Sequence, residues 1–441
     1  MKILAKIALA ISALALLGLL VGIITQNQAL WQPFALLAAF SFAIGMREIS
    51  ALKSYQYTAW IIVAVLAGML YPAAFTKWGD FDLRNKALIL VIIQLVMFGM
   101  GIHMRISDFS GLATTGKGVL IGLFCHFSVM PLMGFLLTKL FHFDPEIAAG
   151  IILIGSCSSG LASNVMVYLA KANLVLSVVV TAMATLVAPF LTPLLMKLLA
   201  GTLIEIQFIN MMMEIIKIVL IPISAALLHD YLKSANPTTK RNIYVLAAVI
   251  ALVLTGVLTG GWHALEAQIV SKAMLQSLEI LGFMLGAVAV GTGYHFLTNL
   301  LPKLDSWMPY ISMFGIIYFT TVTTAAGREN LLKVGFLLFI ASVIHNAAGY
   351  FFGYWLGRLF GLDKNSARTI AFEVGLQNGG MASGLAGSMG KLGTVGLPAA
   401  VFSPWMNISG SILANYWRKR EVTVGIEAIV GTEATRHEGK E

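Results

Sequence analysis

A carboxylate inside an apolar stretch is the residue of this sequence with the most chemistry to offer. Glu373 follows Ile370-Ala371-Phe372 and precedes Val374, and an ionisable side chain at such a depth costs several kcal/mol unless it is paired. Gln377 and Asn378 come next, among Gly375, Gly379 and Gly380. Those glycines let a helix unwind, and unwound backbone offers carbonyl oxygens beside the side-chain ones. Far upstream, Ser163 and Asn164 close a run of small polar residues (Ser156, Ser158, Ser159), and Ser177 and Thr181 stand one helical turn apart on the segment that follows. A set built only from oxygens suits a hard cation such as sodium and does not suit a soft transition metal. Taken singly, Glu373 also reads as a helix-end carboxylate reaching the cytoplasm, and each Ser or Thr as a packing residue. Together they point to a cation.

The remaining polar residues add little catalytic chemistry. Six histidines (His103, His126, His229, His263, His295, His345) lie in or beside apolar runs, none at i, i+4 from another, and no H-E-x-x-H occurs, which argues against a zinc enzyme. His345-Asn346 reads as a structural hydrogen-bonding pair between helices, and Lys217, three residues after Glu214, as an intrahelical pair at a membrane interface. Ser159-Gly160 with His345 or His126 as base is the arrangement an intramembrane serine protease would need. It leaves the internal symmetry described below unexplained. Two cysteines, Cys125 and Cys157, both in apolar segments, give neither a disulfide framework nor a Cys-rich metal site.

The elements that must hold these residues are membrane helices. Of 441 residues 58% are hydrophobic and 11% charged, against roughly 25% charged in a soluble domain. Apolar runs long enough to cross about 30 Å of hydrocarbon recur throughout, and fourteen segments are expected, from 4–25 and 29–46 to 367–390 and 393–417. Lys2 and Lys6 ahead of residues 7–24 resemble a secretory signal, but the run exceeds a signal core and no A-x-A site follows, so a retained first helix is expected. The net charge of +9 is scattered among short loops, which excludes a nucleic-acid surface. With the N-terminus in the cytoplasm, Arg47, Lys53, Arg105, Lys117, Lys171, Lys233, Lys240, Arg241, Lys303, Lys364, Arg368 and Arg418-Lys419-Arg420 fall inside, and fewer positives outside. Both termini are therefore expected to be cytoplasmic, with 418–441 as a charged tail.

The chain also repeats itself. Gly160-Leu161-Ala162-Ser163 precedes Lys171 by the same interval that separates Gly380-Met381-Ala382-Ser383 from Lys391. The charge-derived orientation runs these two segments in opposite directions. Inverted repeats with discontinuous helices are how many transporters build a midplane ion site.

At these residues the sequence resembles the bile acid:sodium symporter family. Gly155-Ser156-Cys157-Ser158-Ser159-Gly160-Leu161-Ala162-Ser163-Asn164-Val165-Met166 is similar to its first crossover motif, and Glu373-Val374-Gly375-Leu376-Gln377-Asn378 to its second. Phe98-Gly99-Met100-Gly101, Ser107-Asp108-Phe109, His345-Asn346 and Asn407-Ile408-Ser409-Gly410-Ser411 match as well, so the likeness covers 57–230 and 307–417. It implies an all-α integral membrane protein with ten helices in two inverted five-helix repeats, plus about four additional transmembrane helices. A core domain (118–200 and 333–417) would carry crossing helices at 147–170 and 367–390, beside a panel domain (57–104, 208–230 and 307–325). Two extra helices precede it (1–47), and an inserted pair (242–298) interrupts it.

The resemblance further implies a sodium-coupled symporter of small organic anions such as bile acids, hydroxy acids, keto acids or other monocarboxylates. It would sit in a bacterial inner membrane, in contact with lipid, with sodium as coupling ion and no cofactor. One sodium would be held by Ser163, Asn164, Ser177, Thr181 and Glu373. A second would be held by Glu373, Gln377 and the carbonyls of Val374 and Leu376. Substrate would meet Leu161, Asn378 and Asn407. Three departures stand out: Ser158 replaces a common proline, which implies a softer first break; Met406 precedes Asn407 in place of a histidine; and His126 replaces a glutamine that helps hold the second sodium. Imidazole brings no oxygen, and a protonated His126 beside Glu373 would supply the second ion's charge itself. Proton coupling is the nearest alternative, and a membrane sensor that kept the ion site the next.

Overall fold

The computed structural model describes residues 2–49, 52, 55–269 and 271–420. The expected tail beyond residue 420 and Lys53 lie outside the described residues. Peptide groups in hydrocarbon must be satisfied within the segment, so the apolar runs fold as helices.

There are sixteen among the described residues. The first nine are α1 (Lys2–Ile24), α2 (Gln28–Gly45), α3 (Gln56–Leu70), α4 (Lys86–Gly101), α5 (Leu112–Phe141), α6 (Pro145–Ser156), α7 (Leu161–Leu169), α8 (Leu174–Ala200) and α9 (Phe208–Ser234). The rest are α10 (Pro237–Gly261, kinked at Gly260, φ 144°, before the short helix Trp262–Gln268), α11 (Lys272–Leu300), α12 (Leu304–Ala326), α13 (Arg328–Leu359), α14 (Lys364–Gly375), α15 (Gly379–Ser388) and α16 (Leu397–Arg418). A two-residue hairpin pairs Lys77–Trp78 with Phe81–Asp82 in the loop before α4, a small exception to the all-helical expectation.

The fourteen expected segments become sixteen helices because 147–170 and 367–390 are each divided. Eight helices (α1, α2, α5, α8, α9, α10, α11, α13) are by length and composition able to cross a bilayer alone. About fourteen spans, two of them discontinuous, are expected from the sequence. α3, α4 and α6 are apolar but shorter, and the divided segments consist of half-length pieces. The protein is an integral membrane protein with multiple spans.

Caps fix several helix starts earlier than the apolar periodicity suggested. Asn236 Oδ1 accepts from Thr239 N, and Asp363 Oδ1 accepts from Asn365 N and Ser366 N. These bonds satisfy amides that the first turn leaves free.

Glycine sets the closest approaches. A Cβ on Gly155 would lie 2.7 Å from the Met130 carbonyl, which ties α6 to α5, and one on Gly349 would lie 2.7 Å from Gly375 Cα, which ties α14 to α13. Each broken helix is thus backed by one long helix. The extra helices lie outside this arrangement: α1 and α2 form a hairpin with Ser12 Oγ donating to Ala38 O at 3.0 Å. α11 meets α9 where Gly291 abuts the Ala225 carbonyl. Leu17, Leu20, Leu252 and Val253 on these helices are exposed, as a lipid-facing surface requires.

Candidate functional site: two crossing helix breaks around a buried carboxylate

The chain leaves α6 at Ser156 and re-enters helix at Leu161, and it leaves α14 at Gly375 and re-enters at Gly379. The two breaks cross as a short antiparallel bridge between Ser159 and Gln377, with Asn378 N donating to Ser158 O at 2.8 Å. At the first break, where Ser158 stands in place of a proline, Cys157 and Gly160 both have extended backbone (ψ 161° and 171°). Pairing with the second break holds the extended conformation that a proline would otherwise impose. Asn346 Nδ2 donates to the Gly375 carbonyl at 2.8 Å and so caps the end of α14, while His345 Nε2 meets the Met130 carbonyl at 2.8 Å.

Glu373 has no exposed surface, and its carboxylate is ringed by hydroxyls. Oε1 accepts from Ser177 Oγ at 2.6 Å; Oε2 accepts from Ser159 Oγ at 2.7 Å and from Thr181 Oγ1 at 2.9 Å. Asn164 Oδ1 stands 2.7 Å from Ser177 Oγ and 3.3 Å from Thr181 Oγ1, and Ser163 Oγ lies 3.4 Å from Thr181 Oγ1 while donating to Gly160 O. The structure therefore brings Ser163, Asn164, Ser177, Thr181 and Glu373 into one cluster. With Glu373 ionised the cluster is short of protons, because Ser177 has one to give and two oxygens within 2.7 Å to receive it. A hard cation among these oxygens removes that shortage.

The second expected set is arranged differently. Gln377 Nε2 donates to the Val374 carbonyl at 2.7 Å, and Gln377 Oε1 is buried without a partner. The Glu373 carbonyl faces His126 Nδ1 at 2.9 Å, and His126 Nε2 faces the Cys157 carbonyl at 2.7 Å. The imidazole thus spans from one break to the other. Carbonyl oxygens only accept, so in either neutral tautomer the ring N–H donates to one of the two carbonyls.

The residues expected to touch substrate are not gathered in one open cleft. Asn378 is buried and caps α15, its Oδ1 accepting from Met381 N at 2.9 Å; Asn407 is buried and donates to Ser403 O at 2.8 Å on its own helix. Leu161 opens α7 and is half-buried.

The protease arrangement is not formed, since Ser159 Oγ donates to Glu373 and both candidate bases are engaged with backbone carbonyls. Sequence reasoning passed over Ser159 as an ion-site residue. Its place two residues before Leu161, in the break itself, was the available signal.

Residues 88–273 match the profile of the Sodium Bile acid symporter family. An uncharacterised sodium-dependent transporter of Bacillus subtilis, YocS, is 31% identical over 376 residues, covering 85% of this chain and 94% of the relative. The chain belongs to the sodium bile acid symporter family. Among its other relatives, a probable chloroplastic sodium/metabolite cotransporter of Arabidopsis thaliana, BASS1, is 27% identical over 86% of this chain and 77% of its own length. The human ileal sodium/bile acid cotransporter is 26% identical over 66% of this chain and 67% of its own length. Membership places the chain among transporters and not among enzymes.

Proposed function

We propose that this symporter-family member carries small organic anions together with sodium, by alternating access at the crossing of its two breaks. The single observation that carries the reading is the Glu373 carboxylate enclosed by Ser159, Ser177 and Thr181 hydroxyls beside Asn164. That set is oxygen-only, carries one negative charge when Glu373 is ionised, and surrounds a carboxylate with no exposed surface, as a dehydrated sodium requires. Ser163 completes it. The relatives in Bacillus subtilis, Arabidopsis and human all bear names that include sodium, which agrees with the donor set.

The finer architecture belongs to the same proposal. α3 to α8, with α6 and α7 as one broken helix, and α9 with α12 to α16, with α14 and α15 as one broken helix, would form two inverted five-helix repeats: a core of 118–200 and 333–417 and a panel of 57–104, 208–230 and 307–325. The backing of α6 by α5 and of α14 by α13 supports it. Residues 1–47 and 242–298 would then be additions to that unit, in a bacterial plasma membrane with both termini cytoplasmic. Substrate would meet Asn378, Asn407 and Leu161 once core and panel separate, with free amides at the half-helix ends favouring its carboxylate.

A second reading concerns stoichiometry, and the His126 contacts favour it: the ring stands between the Glu373 and Cys157 carbonyls, where a second cation would otherwise be coordinated. One sodium would then accompany each anion, with Val374, Leu376 and Gln377 serving to hold the break.

The test is a thermal-shift panel of organic anions with and without sodium, followed by uptake into proteoliposomes under a sodium gradient. At least one carboxylate should raise the melting temperature only when sodium is present, and should accumulate down the sodium gradient. Accumulation that ignores the sodium gradient and follows a proton gradient would replace sodium coupling by proton coupling. Anion and sodium binding with no uptake would favour a sensor.

A further inference from the structure

Helix α9 is not α-helical throughout, because Ile216–Leu220 is wound as a π-helix. Such turns interrupt the normal ladder and are frequent at functional sites. Lys217 lies in that turn, and its carbonyl accepts from Gln94 Nε2 of α4 at 3.0 Å. Its side chain is 10% exposed, and the ammonium meets Glu214 Oε1 at 2.5 Å on its own helix and Glu279 Oε1 at 3.0 Å on α11. The intrahelical pair was legible from the i, i+3 spacing; the second carboxylate, supplied by the inserted helix pair, was not. A lysine inside a membrane span with partners on two elements calls for a role, and the ion cluster does not use it.

The surroundings indicate which role. Lys217, Glu214 and Ser388 line both of two adjoining cavities, one of about 580 Å³ reaching Asn210, Gln276 and Glu279, the other of about 270 Å³ reaching Ile93 and Gly384. Gly384 and Ser388 belong to α15, the half-helix that starts at the second break. The cavities therefore run beside that half-helix, in the direction of the crossing.

The two carboxylates are not equivalent. Glu214 is fixed three residues from Lys217 on the same helix, whereas Glu279 comes from another helix and its side chain is 40% exposed, so it can leave the ammonium for water at small cost.

We infer that Lys217 is an approach subsite for the carboxylate of the carried anion, and that Glu279 of the inserted helix pair is the partner it releases when the anion arrives. This rests on the proposed organic-anion reading. It gives the inserted pair a function: α11 sets how readily an anion is admitted to the cavity beside α15. An incoming carboxylate replaces one ion pair by another at the same ammonium, and then has only the length of α15 to travel.

The experiment uses the purified full chain carrying Ser388→Cys, labelled with an anionic (sulfonatoethyl) and a cationic (trimethylammonium-ethyl) methanethiosulfonate. Cys125 and Cys157 are fully buried, and the unsubstituted protein controls for them. Glu279→Gln should raise the anionic-to-cationic rate ratio about tenfold by leaving Lys217 with one carboxylate partner in place of two. Adding Lys217→Met should remove that gain. Glu205→Gln, which deletes the same charge from the same cavity without touching Lys217, should give less than about a third of it. The inference is overturned by a gain that persists without Lys217, by an equal gain from Glu205→Gln, or by an introduced thiol that neither reagent reaches. If Lys217→Met does not fold, the Glu205 comparison decides alone. Labelling needs no transport, so failure of the carrier reading appears in the uptake assay and not here.

Discussion

The two breaks are placed alike in their helices and divide the chemistry unequally. Both interrupt a helix for a few residues, both are backed by a long helix that approaches through glycine, and each offers the other a backbone partner at Ser159 and Gln377. The first break contributes neutral groups: the Ser159 hydroxyl, the Cys157 carbonyl and the start of the helix that bears Ser163 and Asn164. The second is preceded by the charge, Glu373, and is held by amides, with Asn346 on the Gly375 carbonyl and Asn378 on Met381 N. Geometry is therefore shared between the arms, while ion affinity hangs on one of them. Equivalent substitutions on the two sides should not have equivalent effects.

The strongest way to break the comparison is to neutralise the charged arm. Glu373→Gln keeps the size and an acceptor oxygen, so the buried hydroxyls retain partners and the protein should fold. Its sodium-dependent rise in melting temperature, which follows RT ln(1 + [Na⁺]/Kd), should vanish, and sodium-driven uptake with it. A variant that keeps the full sodium response would show that the carboxylate is structural and that the ion binds elsewhere.

A milder intervention separates the hydroxyls. Ser177→Ala and Thr181→Ala each remove an oxygen that contacts both Glu373 and Asn164, and each should weaken sodium about tenfold to a hundredfold, or about 1.4 to 2.8 kcal/mol. Ser159→Ala removes a donor from Oε2, which Thr181 also serves. A loss of about threefold is expected there, with a stability cost of about 1 kcal/mol. Sodium titrations monitored by melting temperature resolve the order. Equal losses at all three positions would make the first break a direct ligand arm and erase the asymmetry.

Much of this was legible in the sequence, and the limits are physical. A lone acid in an apolar run, and small polar residues repeated at matching distances from Lys171 and Lys391, were enough to indicate the breaks. Hydrophobic periodicity could not say that 147–170 and 367–390 are divided helices, because both halves are apolar and only the Gly and Ser content hints at an interruption. Ser159 was passed over since a serine in a packed helix and a serine aimed at Glu373 look alike in one dimension. The Lys217–Glu279 contact joins residues far apart in the chain on helices with no shared motif, so spacing arguments cannot reach it. Asn378 and Asn407 were placed correctly on their elements but are occupied with capping and intrahelical bonds, a matter of conformation that sequence does not record.

His126 offers a sharper probe of the neutral arm. Its ring joins the carbonyls of Cys157 and Glu373, so it ties the breaks together with a side chain that brings no oxygen. His126→Gln offers one N–H₂ group and one oxygen in the same space. The Hill coefficient for sodium should move from about one towards two, with a modest loss of stability where one carbonyl loses its donor. A native protein that already titrates with a coefficient near two would assign His126 a purely structural place.

The smallest effect is expected from Ser158→Pro, which asks whether the crossing or the local sequence holds the first break open. The residue before a proline is pushed towards extended backbone, and Cys157 is already there with φ −73° and ψ 161°. The Ser158 carbonyl, which accepts from Asn378 N, survives the substitution. What is lost is a marginal hydroxyl contact, Thr185 Oγ1 to Ser158 Oγ at 3.4 Å, and the weaker one to Met381 sulfur at 3.8 Å. Against that, proline removes conformational freedom from the unfolded chain and contributes roughly 0.4 to 1 kcal/mol where the native backbone accepts it. The two terms nearly cancel, so the melting temperature should shift by no more than a few degrees, with sodium affinity unchanged within about twofold. A variant that loses its sodium response while staying folded would mean that the first break changes its backbone when the ion binds. The symmetry seen here would then belong to one state of the transport cycle only.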